Sequence, residues 1–359
     1  MSATPQANPP KAASASAPLN VAIVGSTGAV GQEFLRVLEA RSFPINNLKL
    51  LASARSAGKT DHYQDREITV GNLDDESFEG VDIALFSAGG SISKKHAQRA
   101  VDAGAVVIDN SSAFRMTEGV PLIVPEVNPE AAAGIAIGSA PGIIANPNCS
   151  TIIALVAVTP LHRAAGIKRM VVSTYQAASG AGAAAMAELE QQTREVLEGK
   201  PPTCQIFDRQ YAFNVFSHNS DIGPEGYNTE EMKLVRETHK IWNQPVDDQT
   251  AITATCVRVP VLRAHSEAIN LTFNQPLTEA QARDILSKAP GVSLIDDRQA
   301  NRFPTPLDAS GQDDVYIGRI RQDISQPESH GIDLFVCGDQ IRKGAALNAV
   351  QIAELLINR

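Results

Sequence analysis

The strongest constraint on this chain's fold lies near its start. An apolar run, Asn20–Val24, enters a glycine-rich turn, Gly25-Ser26-Thr27-Gly28-Ala29-Val30-Gly31, and Gln32–Ala40 follows with helical periodicity. A short β-branched run bounded by glycine predicts a buried strand. Glycines between a strand and a helix let the backbone approach a pyrophosphate, and the free N–H groups of the helix start favour an anion. The spacing is GxxGxxG rather than the common GxGxxG of dinucleotide sites, so an unliganded glycine turn is the competing reading.

Further strand candidates are Leu48–Ala52, Ile68–Val70, Asp82–Phe86, Ala105–Ile108 and Leu122–Val124, with a helix over Ser93–Ala103. Strands alternating with helices predict a parallel sheet covered on both faces. The segment after Leu48–Ala52 reads Ser53-Ala54-Arg55-Ser56, with no acid to take a ribose 2′-hydroxyl. An arginine between serines suits a 2′-phosphate, which predicts NADP rather than NAD; a solvated basic loop is the plain alternative. The small residues Ser87-Ala88-Gly89-Gly90-Ser91 after Phe86 leave room for such a cofactor.

A second constraint is Ile143-Ile144-Ala145-Asn146-Pro147-Asn148-Cys149-Ser150-Thr151-Ile152. The apolar run, the polar turn and the renewed apolar run put a thiol at the N-terminus of a buried helix. Unpaired N–H groups and the helix dipole there favour a thiolate, which predicts a lowered pKa and a nucleophile. A small buried core residue is equally compatible with this segment alone. Beyond it the texture changes. Strands are expected at Arg169–Tyr175, Ala251–Val259, Ala268–Phe273 and Ile332–Val336, antiparallel in character. Helices are expected at Gly182–Glu198, Glu230–Trp242, Leu277–Lys288 and Gly344–Ile357. The fold class is therefore α/β: an N-terminal Rossmann-type dinucleotide-binding domain plus an α+β second domain. The expected limits are 19–148 for the first, completed by a C-terminal helix in 341–359, and 149–340 for the second. Residues 1–18, rich in Ala, Pro and Ser, read as a disordered tail.

Among seven histidines, His265 stands out in Arg258-Val259-Pro260-Val261-Leu262-Arg263-Ala264-His265, where a strand runs to a turn. Histidine is the usual proton carrier beside a thiol nucleophile, and Arg258 could fork onto a carboxylate. Asp109–Arg115 follows a strand and ends in an arginine suited to an anion. Glu230 and Lys233, three apart, share a helix face.

Composition removes other classes. With 31 basic and 40 acidic residues, net charge −9, no basic excess exists to neutralise a nucleic acid. The four cysteines are widely spaced with no zinc-ligand pattern, so no metal is expected and a reducing, cytoplasmic location fits. No apolar stretch is long enough to predict a membrane span.

Taken in order and spacing, Gly25–Gly31, Asp109–Arg115, Asn146–Thr151, Ser173–Gly182, Glu230–Lys233, Arg258–Glu267 and Gly338–Ala345 resemble the aspartate-semialdehyde dehydrogenase family from about Asn20 onward. The resemblance implies NADPH-dependent reduction of L-aspartyl 4-phosphate to L-aspartate 4-semialdehyde through a cysteine thioester, feeding lysine, diaminopimelate, methionine and threonine synthesis. It implies Cys149 as acyl acceptor, His265 as acid/base and Gln176 as orienting group. Arg258 and Glu230 would hold the substrate carboxylate and amine, and Arg115, Lys233 and Asn148 the phosphate. Gly25, Thr27, Gly28, Ala29, Val30, Arg55, Ser56, Ser179, Gly180 and Gln340 would contact NADP. It also implies that the second domain is the catalytic and dimerisation domain, building a homodimer, with a tetramer as the alternative assembly. Glu231 beside Glu230 leaves the amine contact open by one residue, and the family often has Asn where Gln340 stands. An N-acetyl-gamma-glutamyl-phosphate reductase and a non-catalytic NADP-binding paralogue are the alternative readings.

Overall fold

The structure, a computed structural model, describes residues 17–358. The expected N-terminal tail lies, but for its last two residues, outside the described residues. The first unit comprises β1 (Leu19–Val24), α1 (Ala29–Ala40), β2 (Ile45–Ala52), β3 (Thr60–Tyr63), β4 (Arg66–Thr69), β5 (Gly71–Asn72), β6 (Ile83–Phe86), α2 (Gly90–Asp102), β7 (Val106–Asp109) and β8 (Ile143–Ala145). Its six-stranded sheet runs in the order β5-β2-β1-β6-β7-β8, with every neighbouring pair parallel. Strand order reverses direction between β1 and β6, so a crevice opens at their carboxyl ends, the usual ligand position in such sheets.

The glycine turn sits in that crevice. Gly25 has φ +86, and a Cβ there would lie 2.4 Å from the Ser87 carbonyl oxygen at the end of β6, so only glycine lets the two strand ends approach. α1 and α2 begin at glycine N-caps, Gly28 and Gly89, neither capped by a side chain. Helix starts elsewhere in the chain carry capping boxes, as at Asn228 and Thr278. The first-turn N–H groups of α1 and α2 are thus left for something other than a cap.

The second unit comprises α3 (Cys149–Ala165), β9 (Ile167–Gln176), α4 (Ala183–Leu197), β10 (Phe216–Ser217), α5 (Thr229–Ile241), β11 (Ala251–Arg258), β12 (His265–Phe273), α6 (Glu279–Ser287), β13 (Val292–Leu294), α7 (Pro306–Ala309), β14 (Val315–Gln322) and β15 (Gly331–Gly338). Its sheet runs β10-β11-β9-β12-β15-β14-β13. The expected antiparallel character holds only in part: β9 pairs β11 in parallel, as β13 does β14. The chain between β9 and β11 carries α4 and α5, which is the length a parallel crossover needs.

Two expectations are corrected. Leu122–Val124 is not a strand; it makes one isolated bridge, Leu122 to Ala145, because β8 already occupies the sheet position beside β7. Ile68 belongs to a separate β3–β4 hairpin rather than to the main sheet. After β15 a wide π turn, Arg342–Ala346, leads into α8 (Leu347–Ile357). α8 buries Leu347, Val350 and Ile352 in the same apolar cluster as Val21 and Ile23 of β1 and Phe34 and Leu38 of α1. α3, apolar all round, is buried from Ser150 to Thr159 and packs on the second sheet.

Candidate active site

Between the two units lies a cavity of about 310 Å³. Its wall brings together Val30, Arg115, Asn148, Cys149, Gln176, Ser179, Gly180, Glu230, Lys233, Arg258, His265 and Gln340 from seven separate stretches of sequence. The remaining cofactor-loop residues lie along the crevice of the first unit. Thr27 is exposed, with its hydroxyl 3.5 Å from that of buried Ser56, and Arg55 is exposed beside them in the turn after β2.

Cys149 opens α3. Asn148 caps the helix, its Oδ1 accepting from the N–H groups of Ser150 at 3.0 Å and Thr151 at 3.4 Å. Gly344, in the π turn, faces the cysteine: a Cβ there would lie 2.8 Å from Cys149 Cβ. The expected fall in thiol pKa is overturned. Burial pushes the Cys149 thiol up to about 12, and the nearby Glu230 carboxylate adds to it. Lys233, Arg115 and Arg258 pull the other way without prevailing. That direction favours the protonated thiol near neutral pH.

The sheet supplies the opposite wall. Arg258 lies across from Gln176, and Ser266 across from Tyr175, which aligns Arg258, Gln176 and His265 in one row at the strand ends. His265 Nδ1 accepts the Ala177 N–H at 3.0 Å, so a neutral ring carries its proton on Nε2. That Nε2 is buried without a hydrogen-bond partner. Burial, and then Arg258, push the His265 pKa down to about 3, so the ring is neutral at ordinary pH. Ala264, just before it, holds φ +72, a left-handed conformation uncommon outside glycine. Its N–H donates to Gln340 Oε1 at 2.9 Å, and Gln340 Nε2 donates in turn to the Ser179 hydroxyl.

The charged groups form two sets. Glu230 Oε1 accepts from Asn148 Nδ2 at 2.8 Å and Gln176 Nε2 at 3.3 Å, and its Oε2 accepts from Lys233 Nζ at 2.8 Å. Burial opposes its charge, but Lys233 and His218 outweigh that and hold the pKa near 2. Glu231 points elsewhere: it closes the capping box of α5 with Asn228 and accepts the Cys256 N–H. Only Glu230 of the two reaches the cavity. In the other set, buried Arg115 donates to the carbonyls of Asn146 and Asn110 and to Glu237 Oε1 at 3.0 Å.

Three residues were missed by sequence reasoning. Asn110 lines the cavity with both side-chain polar atoms buried and unpartnered, which points to a ligand. Glu237 binds Arg115 and also accepts the Asn148 N–H at 2.6 Å; its signal was a spacing of seven from Glu230 on one helix face. His218 lies beside Arg258 and left no pattern beyond being a histidine.

The semialdehyde dehydrogenase NAD binding domain profile matches residues 20–135, and the semialdehyde dehydrogenase dimerisation domain profile matches residues 158–343. An aspartate-semialdehyde dehydrogenase of Synechocystis sp. is 58% identical over 95% of this chain and 98% of its own. The chain belongs to the aspartate-semialdehyde dehydrogenase family. Another member, from Bacillus subtilis, is 46% identical over 94% of this chain and 97% of its own. The crystal structure of aspartate semialdehyde dehydrogenase II of Vibrio cholerae, complexed with ASA, superposes with a TM-score of 0.90 at 48% identity, covering 95% of this chain and 99% of that one. The family places this chain among oxidoreductase enzymes of amino-acid biosynthesis with a nicotinamide-binding domain. Among the described residues no cluster of His, Cys, Asp or Glu could hold a metal, and no helix is long and apolar enough to cross a membrane.

Proposed function

We propose that the cavity carries out the NADPH-dependent reductive dephosphorylation of L-aspartyl 4-phosphate through a thioester on Cys149. The single observation that carries this reading is that the thiol shares one cavity with two arginines that keep free donors. Arg115 and Arg258 each have three N–H donors engaged by protein, leaving two of five for a ligand. A substrate with an acidic group at each end suits two cations that share a cavity with one nucleophile.

The residues present suit a dinucleotide: the Gly25–Gly31 turn admits close backbone approach, and the uncapped starts of α1 and α2 offer N–H donors. Gly25, Thr27, Gly28, Ala29 and Val30 would cradle its pyrophosphate. Ser179, Gly180 and Gln340 would face its nicotinamide end, and Arg55 with Ser56 would take the 2′-phosphate that favours NADP. When bound, the nicotinamide supplies the hydride.

In the first step the Cys149 sulfur bonds to the acyl carbon while the acyl–phosphate bond breaks. The thiol proton ends on the leaving phosphate, so its high pKa does not strand a thiolate. Arg115 and Lys233 offset the phosphate charge, and Lys233 exchanges its bond to Glu230 for that role. Glu230, freed on one oxygen, takes the substrate ammonium, and Arg258 takes the carboxylate. The His265 Nε2–H donates to the carbonyl oxygen as it becomes negative, and the Gln176 amide, whose two N–H groups bond Ser150 Oγ at 3.0 Å and Glu230 Oε1 at 3.3 Å, would exchange the longer of those bonds to join it; such donors are worth most in a dry site. After hydride addition the alkoxide re-forms a carbonyl as the carbon–sulfur bond breaks. The aldehyde leaves, and the sulfur takes its proton from incoming water while the His265 Nε2–H donates a hydrogen bond to it.

The cofactor unit would span 19–148 with 341–359, and the catalytic unit 149–340. A homodimer through the second unit agrees with the matched dimerisation domain. The pathway assignment to lysine, diaminopimelate, methionine and threonine synthesis and a cytoplasmic location rest on the family.

The test is a spectrophotometric assay with aspartate semialdehyde, phosphate and NADP. Cys149→Ala should abolish phosphate-dependent NADP reduction; a rate equal to wild type removes the thioester from consideration. Arg55→Ala should raise KM for NADP at least tenfold and leave NAD use unchanged, and equal losses for both cofactors would refute the 2′-phosphate contact.

A further inference from the structure

Arg258 is not held by a carboxylate. Its Nη2 donates to His218 Nε2 at 2.9 Å, its Nε to Asn219 Oδ1 at 3.3 Å and its Nη1 to the Ala177 carbonyl at 3.2 Å. These neutral acceptors orient the guanidinium and leave its full charge for a ligand. An acidic partner would orient it equally well and would compete with that ligand. His218 lines the cavity, and accepting at Nε2 fixes its proton on Nδ1. Nδ1 lies 3.1 Å from the Ser220 hydroxyl, which it can therefore serve as donor. The same hydroxyl oxygen accepts the Glu230 N–H at 3.2 Å, at the start of α5. One short loop, His218-Asn219-Ser220, thus ties Arg258 on β11 to Glu230 on α5.

We infer that His218 is a positioning residue that fixes Arg258 and Glu230 relative to one another, so that the cavity selects a substrate bearing an α-carboxylate beside a free ammonium. This rests on the roles proposed above for Arg258 and Glu230. The clamp has no use for a ligand lacking the carboxylate, and that gives its action a readout distinct from mere structural support. His218 stays neutral because burial, and then Arg258, push its pKa down to about 4, so the clamp is set throughout the ordinary working range.

The test compares aspartate semialdehyde with 3-aminopropanal, the same aldehyde without its carboxylate, in the phosphate- and NADP-dependent oxidation. His218→Leu removes the acceptor, His218→Gln offers an amide oxygen near the Nε2 position, and Ser220→Ala cuts the link to Glu230. A hydrogen bond to a charged group of this kind corresponds to roughly a tenfold to hundredfold effect. His218→Leu should raise KM for aspartate semialdehyde by that factor, change kcat much less, and affect 3-aminopropanal at least fivefold less. His218→Gln should recover most of the loss. Equal losses on the two aldehydes, or a loss confined to kcat, would overturn the inference. Arg258→Lys in the same assay separates the two levels. If Arg258→Lys is selective for the carboxylate substrate and His218→Leu is not, the positioning role falls alone; if Arg258→Lys is itself unselective, the reading of Arg258 falls with it. Should His218→Leu fail to fold, Ser220→Ala carries the comparison: a KM rise larger for aspartate semialdehyde, which needs both Arg258 and Glu230, than for 3-aminopropanal, which uses Glu230 alone, supports the clamp, and equal changes or none overturn it.

Discussion

The place of Cys149 after Asn-Pro-Asn made it a candidate nucleophile, level with a buried core residue on that segment alone, and its protonation state was not legible there. The helix start is a local feature; the burial and the Glu230 carboxylate that oppose it come from the tertiary fold. With the thiol pushed up to about 12, the thiolate fraction of the free enzyme grows about tenfold for each pH unit below that value. Alkylation of Cys149 by iodoacetamide should therefore climb steadily from pH 7 to pH 10 without levelling. Glu230→Gln removes a like charge and should speed the reaction at any fixed pH in that range. A plateau below pH 9 in the wild type would show that the helix end wins after all. The same limit applies to the histidines. His265 had a motif; His218 matters only because Phe216–Ser217 pairs with the Val257–Arg258 end of β11, a contact between segments distant in sequence.

At the scale of elements, the sequence exposed those whose pattern is periodic and hid those that depend on neighbours. The strand–turn–helix of β1 and α1 and the helices α5 and α6 fall close to where periodicity and caps put them. β8 is three residues long and gains its strand character only from the edge of β7. β14, Val-Tyr-Ile-Gly-Arg-Ile-Arg-Gln, carries two arginines and a glycine and breaks register after Gly318, which disguised it. α5 shows what a helix adds beyond its residues: Glu230, Lys233 and Glu237 present one face to the site, two of them bonding Asn148 and one Arg115. Glu237 touches neither proposed ligand site directly, yet it aims Arg115 and the start of α3 together. Glu237→Gln removes the carboxylate paired with buried Arg115 and keeps an amide oxygen in its place; losing a partner in such a setting typically costs about 3–5 kcal/mol for full removal and less for an isostere. The expected result is a KM for phosphate at least tenfold higher with KM for aspartate semialdehyde changed less; a phosphate KM within twofold of wild type would remove Glu237 from that role.

At the scale of the molecule, the two units are tied by charge as well as by α8. Glu33, on α1 of the first unit and only 2% exposed, pairs with Arg263 at 3.2 Å and Arg342 at 3.0 Å, both from the second half of the chain. Arg263 also pairs with Asp339 at 2.6 Å, and Arg342 with Asp313, so the tie reaches the loops carrying His265 and Gln340. Burial opposes the Glu33 charge, but Arg263 and Arg342 outweigh it and lower its pKa. Glu230 is held near 2 in the same sense. Carboxyls whose folded pKa lies below the unfolded value stabilise the fold fully above about pH 4.5, and that contribution fades as pH falls through the folded pKa. Thermal stability should thus drop steadily from about pH 5 toward pH 2. Because Arg263 and Arg342 keep 27% and 14% side-chain exposure, solvent screens the pair, and Glu33→Gln should cost on the order of 1–2 kcal/mol at pH 7. The decisive comparison is the slope of Tm against pH between 5 and 3 in wild type and Glu33→Gln. The variant must show a shallower slope as well as a lower Tm at neutral pH, because it has lost a group whose proton uptake opposes folding in acid. Parallel slopes would mean that Glu33 holds the units together by shape alone, and the ionic tie would then have no part in setting the acid limit of the fold.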